Sequence, residues 1–246
     1  MAKLLDKAEY AAKAHKLAHS DFLDPHQVQL AQKLLSSVQT CEYSFFGGFA
    51  MAERAVVLFR PEFIEDSELQ RFQDEMLKSI EIKPLCRNTL SHRDYLGSLM
   101  SLGIRREVTG DILVREESCS IIVLSEIAQY ITENLLKVGN IGVDVTISDI
   151  MELSTPEPKI SEIKTTVAAL RLDSLCAHSF GLSRGKAAEY IKAGKVQLNW
   201  EATLNVDKQV REGDTISLRG KGKAVLDKVG GRTKKDRIAI SIKKFV

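Results

Sequence analysis

Arg171, Arg184, Lys186, Lys192 and Lys195, followed by Arg219, Lys221 and Lys223, are the residues of this chain whose type and spacing suit one kind of chemistry, the binding of phosphate. Arg184 and Lys186 stand out. They fall in the first turn of a helix whose N-cap reads as Ser183, at the positive end of the helix macrodipole, where cations are disfavoured. Free backbone N–H groups at such an end suit an anion, and Arg184 with Lys186 would reinforce the same site. Removing either charge is therefore expected to leave the fold unchanged or slightly stabilised while weakening binding. Asp173 reads as a carboxylate on a helix face that orients Arg171 or Arg184 by hydrogen bonding. Asp173 and Ser183 join the cations as candidate residues of the phosphate-binding surface.

Two short helices and a strand must position these groups. The stretch "ALRLDSLCAHSFGLSRGKAAEYIKAGKVQLNW" reads as a helix to about Phe180, a glycine stop at Gly181, a second helix from Ser183 to about Ala193, a second stop at Gly194, then a strand. Leu172, Leu175, Cys176 and Phe180 form the apolar stripe of the first helix, and Ala187, Ala188 and Ile191 that of the second. The cations are left outside. Trp200, just past the strand, is expected to cover the small core, with stacking on a base or ribose as the alternative.

Upstream lie two more units. Residues 1–70 open with the helical pattern "KLLDKAEYAAKAHKLA", then place Asp24 and Pro25 as N-cap and first residue of a second helix. Gly47 and Gly48 mark a turn between an aromatic-rich segment and the strand-like "AVVLF". Residues 71–152 alternate as strand "LKSIEIKPL", helix capped by Ser91, strands "DILVR" and "CSIIVL", helix capped by Ser125, and strand "VDVTIS". That β-α-β-β-α-β order is the split unit of ferredoxin-like and RNA-recognition-motif domains. The base-stacking aromatics of the latter are missing from "CSIIVLSEI". The proline-bearing residues 153–166 read as a linker to a C-terminal unit at 167–246. The expected fold class is α+β and multidomain.

Charge follows the same division. Residues 166–246 hold 17 Lys or Arg against 8 Asp or Glu, whereas residues 1–165 hold 18 against 25. The basic end is an electrostatic footprint for nucleic acid. Its last 28 residues carry ten cations and two anions, which suits either a binding surface or a solvated face or tail. No apolar run is long enough to span a bilayer, and the charged start lacks the apolar stretch of a signal peptide, so a cytoplasmic protein with no membrane contact is expected. Cys41, Cys86, Cys119 and Cys176 are widely separated and read as reduced, mostly buried thiols, with no metal site. Arg105 and Arg106, after the first helix of the middle unit, either touch phosphate as a secondary RNA contact or complement the helix dipole. His92 and Asp94 offer an acid and a base, but at a helix start they read better as capping and surface residues.

Arg171, Leu172, Asp173 and Leu175, then Gly181, Leu182, Ser183, Arg184 and Ala187, then Ile191, Gly194, Val196 and Asn199, then Glu212, Gly213, Asp214 and Ile216 together resemble the S4 RNA-binding domain over about 50 residues. Two positions depart from it: Gly185 stands where a serine is common, and Asn199-Trp200 replaces the usual Asn-Gly turn. The resemblance implies that the two-helix corner and the following strand, an L-shaped unit termed the αL motif, pack against structured RNA. "FFGGFAMAER", "LGSLMSLGIRREVTGDI" and "VQLNW" extend the likeness over essentially the whole chain to the bacterial and plastid YlmH family.

This second resemblance implies a non-enzymatic partner of rRNA and peptidyl-tRNA on the large ribosomal subunit. It implies work in the pathway that rescues stalled nascent chains and extends them with C-terminal alanines. Links to cell division and photosystem assembly also attach to the family, so a protein–protein adaptor is one alternative. An rRNA-modifying enzyme is the other, since S4 domains accompany pseudouridine synthases. The catalytic G-R-L-D-x-x-T-x-G loop of those enzymes is not matched by "LRLDSLCAH", which lacks the leading glycine and the threonine. No phosphate loop of a nucleotide-dependent enzyme is found either. A monomer with no cofactor, no small-molecule substrate and no catalytic residue is expected.

Overall fold

The computed structural model describes residues 2–37, 41–86, 89–155 and 160–245, which separate into two compact units meeting at 156/157. In the first, α1 (Ala2–Ala14) leads through β1 (Ala18–His19) to α2 (Pro25–Leu35). Asp24 caps α2 reciprocally: its carboxylate accepts from the Gln27 N–H at 2.8 Å, and the Gln27 side chain accepts from the Asp24 N–H at 2.9 Å. Strands β2 (Glu42–Phe46) and β3 (Val56–Arg60) complete a sheet ordered β1-β3-β2. β3 is apolar from Val56 to Phe59 because both of its faces are covered. Val57 and Phe59 pack with Leu4, Ala8 and Ala31, while Val56 and Leu58 join Phe22 in the core of the following segment.

That segment starts with α3 (Asp66–Met76) and β4 (Leu77–Pro84), continues through α4 (His92–Ser101), β5 (Thr109–Val114), β6 (Cys119–Leu124) and α5 (Ser125–Asn134), and ends with β7 (Lys137–Val138) and β8 (Ile141–Asp149). The sheet order β5-β6-β4-β8-β7, antiparallel at every pairing, is that of the expected split unit. One local reading is corrected and one unassigned element is added. Ser125 is the first helical residue of α5 and Leu124 holds the cap position, and α3 is a helix that periodicity did not reveal because its only buried residue is Met76. The first and second segments, read as separate units, pack as one, with core residues running across the boundary at 70/71.

Close packing between β2 and β3 gives a first testable consequence. A Cβ on Gly47 would lie 2.3 Å from the Ala52 Cβ and 2.4 Å from the Arg54 carbonyl oxygen, both fixed by backbone. Gly47→Ala is expected to cost about 1–3 kcal/mol, read as a lowered melting temperature. A variant melting as the parent does would show that this turn yields.

The second unit contains β9 (Ile160–Val167), α6 (Leu172–Phe180), α7 (Arg184–Lys192), β10 (Val196–Leu198), β11 (Glu201–Ala202), β12 (Thr215–Leu218), β13 (Gly222–Arg232) and β14 (Ile238–Phe245), with sheet order β11-β10-β12-β13-β14-β9. The linker expected at 153–166 is shorter than its proline content suggested. Its residues 156–159 lie outside the described residues, but Ile160–Val167 is a strand paired along its whole length with β14. The basic C-terminal stretch is likewise ordered as two strands, because Leu226, Ile240 and Ile242 between the cations are buried. Gly181 takes the left-handed conformation (φ 62°) that stops α6. The expected apolar stripes reach the core, except that Ala188 is only partly covered. Of the four cysteines, read as mostly buried, Cys119 and Cys176 are buried, Cys41 is half-buried and Cys86 is exposed.

Candidate nucleic-acid interface

One buried carboxylate organises the surface. Asp173, in the first turn of α6, is 4% exposed. Its Oδ1 accepts from Arg171 Nε at 3.2 Å and from the Ser174 N–H at 2.8 Å. Its Oδ2 accepts from Arg171 Nη2 at 3.2 Å and from Arg184 Nε at 2.7 Å. Burial pushes the carboxyl pKa up, but the hydrogen bonds from Arg171, Arg184 and Ser174 prevail and the pKa is lowered. Asp173 therefore stays ionised and fixes two guanidinium groups. At this burial it offers almost no surface of its own, and its hydrogen bonds hold the two arginines as the sequence reading expected.

The two arginines are not equivalent. Arg171 also bonds Asp207, so it lies between two carboxylates, and its side chain is 32% exposed. The start of α6 is closed as well, the Leu172 and Asp173 N–H groups donating to the carbonyls of Lys208 and Val206 at 2.9 and 3.2 Å. Arg184 commits only its Nε to Asp173 and remains 58% exposed, which leaves the outer edge of its fork for a ligand. At the start of α7 the Lys186 N–H donates to Ser183 Oγ at 3.2 Å and the Ala187 N–H to the Ser183 carbonyl at 3.0 Å. The N–H groups of Arg184 and Gly185 have no protein acceptor among the described residues. Apart from its chain neighbours and its own helix backbone, nothing lies within 4 Å of where a Gly185 Cβ would stand, so no more distant side chain covers this turn on that side. Ser183 serves first as the helix cap.

A second group runs along α7 from its first turn to the residue after its stop. Lys186 Nζ and Lys195 Nζ each lie 5.4 Å from the centroid of the Tyr190 ring, one aromatic face system holding two cations. Lys186 also pairs with Glu189 at 2.7 Å, and that hydrogen bond raises its pKa. The Arg219 N–H donates to the Lys195 carbonyl at 3.0 Å, which places Arg219 beside this group. Arg219 and Lys221 are exposed at the β12–β13 turn, and Lys192 is exposed on the last turn of α7. Tyr190 and Asp207 were missed in the sequence. The i, i+4 spacing of Lys186 and Tyr190 was the one available signal, since Asp207 arrives from 36 residues beyond Arg171.

Two candidates are moved elsewhere by the fold. Lys223 pairs in register with Ser217 and Phe245, on the sheet face opposite Ile216, Leu218 and Ala224, and its ammonium sits 4.6 Å from the Phe245 ring centroid. It therefore does not share the helix-side surface. Arg106 turns inward, donating to the Thr109 carbonyl and hydroxyl and to the Gly110 carbonyl at 2.7–3.1 Å. Burial, then the nearby Arg54 charge, lowers its pKa to about 10. It clasps a turn, whereas Arg105 is exposed. Asp94 is engaged at its helix start, accepting from the Ser91 N–H at 2.8 Å and the Ser91 hydroxyl at 2.7 Å.

The middle sheet offers no stacking platform. Ile122 pairs with Ser79, and Ser120 with Glu81, so these four residues share one face. A Cβ on Gly110 would meet the Phe22 ring at 2.8 Å and Ile122 at 3.2 Å, which shows that the N-terminal segment covers part of this face. Beside it, Arg115 bonds the Ser120 hydroxyl at 2.6 Å and approaches Glu81 at 3.6 Å.

Residues 1–63 match the family model described as "YlmH, N-terminal", residues 68–152 the one described as "Putative RNA-binding domain in YlmH", and residues 170–216 the S4 domain. The chain is similar to "Ribosome-associated protein quality control protein P2" of Bacillus subtilis (strain 168), at 31% identity over 234 residues, 94% of this chain and 88% of that protein. It is also similar to the solved structure "Cell division protein ylmH from Streptococcus pneumoniae", with a TM-score of 0.50, 23% identity, and coverage of 61% of this chain and 92% of that one. The structural likeness bears on the fold alone.

Proposed function

This chain belongs to the YlmH family, and from that premise we propose that it is a non-catalytic RNA-binding factor of the large ribosomal subunit, acting in quality control of stalled nascent chains. The observation that carries this reading is the Asp173-held Arg184 beside the open N-terminal turn of α7, with Lys186, Lys195 and Arg219 continuing the positive surface. Charge-assisted donors held by the protein before binding suit phosphate and the shape of structured RNA better than a small-molecule reaction. The relative named for ribosome-associated quality control supports the ribosomal partner. In this reading the rRNA contact is the S4 surface, peptidyl-tRNA is the second ligand, Arg105 remains a secondary contact, and the protein acts as a cytoplasmic monomer.

Pelleting of the full chain with large subunits at graded salt, with and without bound peptidyl-tRNA, tests it. The expected result is stronger pelleting with peptidyl-tRNA and a steep fall of log affinity with log salt, the slope reflecting on the order of 5–8 phosphate contacts. Salt-insensitive association would turn the reading towards a protein–protein adaptor. Loss of a modified nucleotide from the rRNA of a deletion strain would turn it towards an enzyme.

A further inference from the structure

The two-residue loop between β10 and β11 is strained at the chain's single tryptophan. Leu198 pairs with Glu201, and the intervening Asn199 and Trp200 both have positive φ, 51° and 63°. That is the pattern of a type I′ hairpin turn, whose second position favours glycine. A bulky side chain there is a steric outlier that persists only where its surroundings enforce it. Asn199 supplies the enforcement: its side chain donates to Asp214 Oδ1 at 2.8 Å and accepts from the Thr215 N–H at 2.9 Å, while its own N–H donates to the Thr215 carbonyl at 2.8 Å.

The indole is not one of the core side chains. Trp200 is half-buried and stands outside the buried cluster of its unit, against the expectation that it would cover that core. It occupies one end of β10, and Lys195 and Arg219 meet at the other. We propose that Trp200 is a stacking site for an unpaired nucleobase of the bound RNA, set one strand length from the cation cluster. A partly exposed indole at a two-residue hairpin turn offers a π-face that any base can cover. This inference rests on the RNA-binding reading above and adds to it a contact with bases rather than phosphates.

Trp200→Gly gives the test its sign, because it restores the residue the turn favours while deleting the ring. With protein-free large-subunit rRNA as the probe, the full-length variant is expected to melt at the parent's temperature or higher and to bind about five- to tenfold more weakly. That factor is expected to be the same at every salt concentration, since stacking releases no counterions and the log–log slope stays that of the parent. Trp200→Phe should bind within about twofold of the parent. In the unmodified chain, emission comes from this one indole and is expected to be quenched as rRNA saturates the protein. Parental affinity in Trp200→Gly, or emission unchanged at saturation, would overturn the stacking site and leave phosphate binding intact. A variant that melts several degrees lower would assign Trp200 to the fold and also overturn it. An unmodified chain that binds rRNA without salt dependence would overturn this inference together with the reading on which it rests.

Discussion

Replacing Arg184 with alanine is expected to weaken association with the large ribosomal subunit about ten- to a hundredfold, the range set by one charge-assisted contact worth about 1.5–3 kcal/mol. Arg184→Lys should recover only part of this, since lysine keeps the charge but not the two-pronged donor edge. The effect on stability is where the structure reverses the sequence-based expectation. The helix dipole alone makes removal of this cation neutral or favourable. However, Arg184 Nε donates to a carboxylate that is 4% exposed, at 2.7 Å. Its loss is expected to cost about 1 kcal/mol, a figure kept small because the guanidinium is more than half exposed. Melting and pelleting of the same purified variants separate the two effects. A variant that melts several degrees lower yet pellets normally would mark Arg184 as purely structural.

Asp173→Ala carries the second large effect, and its direction distinguishes positioning from net charge. Removing an anion makes the surface more positive, so a purely electrostatic account predicts tighter RNA binding. The geometry predicts the opposite. Without Asp173, Arg184 loses the acceptor that fixes it and Arg171 keeps only Asp207, and binding is expected to fall by about tenfold or more. The fold is expected to lose roughly 2–3 kcal/mol with the charged hydrogen bonds. Asp173→Asn, which keeps one acceptor oxygen, should fall between alanine and the parent. Because the folded-state pKa of Asp173 is lowered, its contribution is fully present above the unfolded carboxylate value of about 4 and is lost as pH falls through the lower folded value. The parent should therefore lose stability more steeply than Asp173→Ala in strongly acidic solution, and show no dependence on this group between pH 5 and 8. Tighter rRNA binding by Asp173→Ala would refute the positioning role.

The elements of the interface were legible because their signals are local. Gly181, Ser183 and Gly194 act within a turn of where they stand, and the apolar stripe of each helix repeats over a few residues. The alternation in 77–149 was legible for the same reason, since each strand and helix there carries its own period. What each cation does was not legible. Arg106 and Arg105 are neighbours in sequence, yet one is bound to the carbonyls of a turn and the other is exposed. Lys223 and Lys221 are two residues apart, yet Lys223 is paired within β13 on the far sheet face whereas Lys221 is exposed in the turn before that strand.

By itself the sequence determined that this chain has an α+β fold with an S4 domain in a basic C-terminal region, that two capped helices meet at Gly181–Ser183, and that cations cluster around that corner. Local propensity, periodicity and charge are enough for this, because each depends on residues within a few positions of one another. Only the tertiary structure decided that Asp173 holds both Arg171 and Arg184 at once, that Asp207 closes over Arg171, that Lys195 meets the Tyr190 ring, and that the N-terminal segment covers part of the middle sheet. These contacts link positions as far as 88 residues apart, as Phe22 and Gly110 are. Which distant groups meet is set by strand pairing and by the burial of apolar surface, and the polar contacts follow from where that burial leaves them.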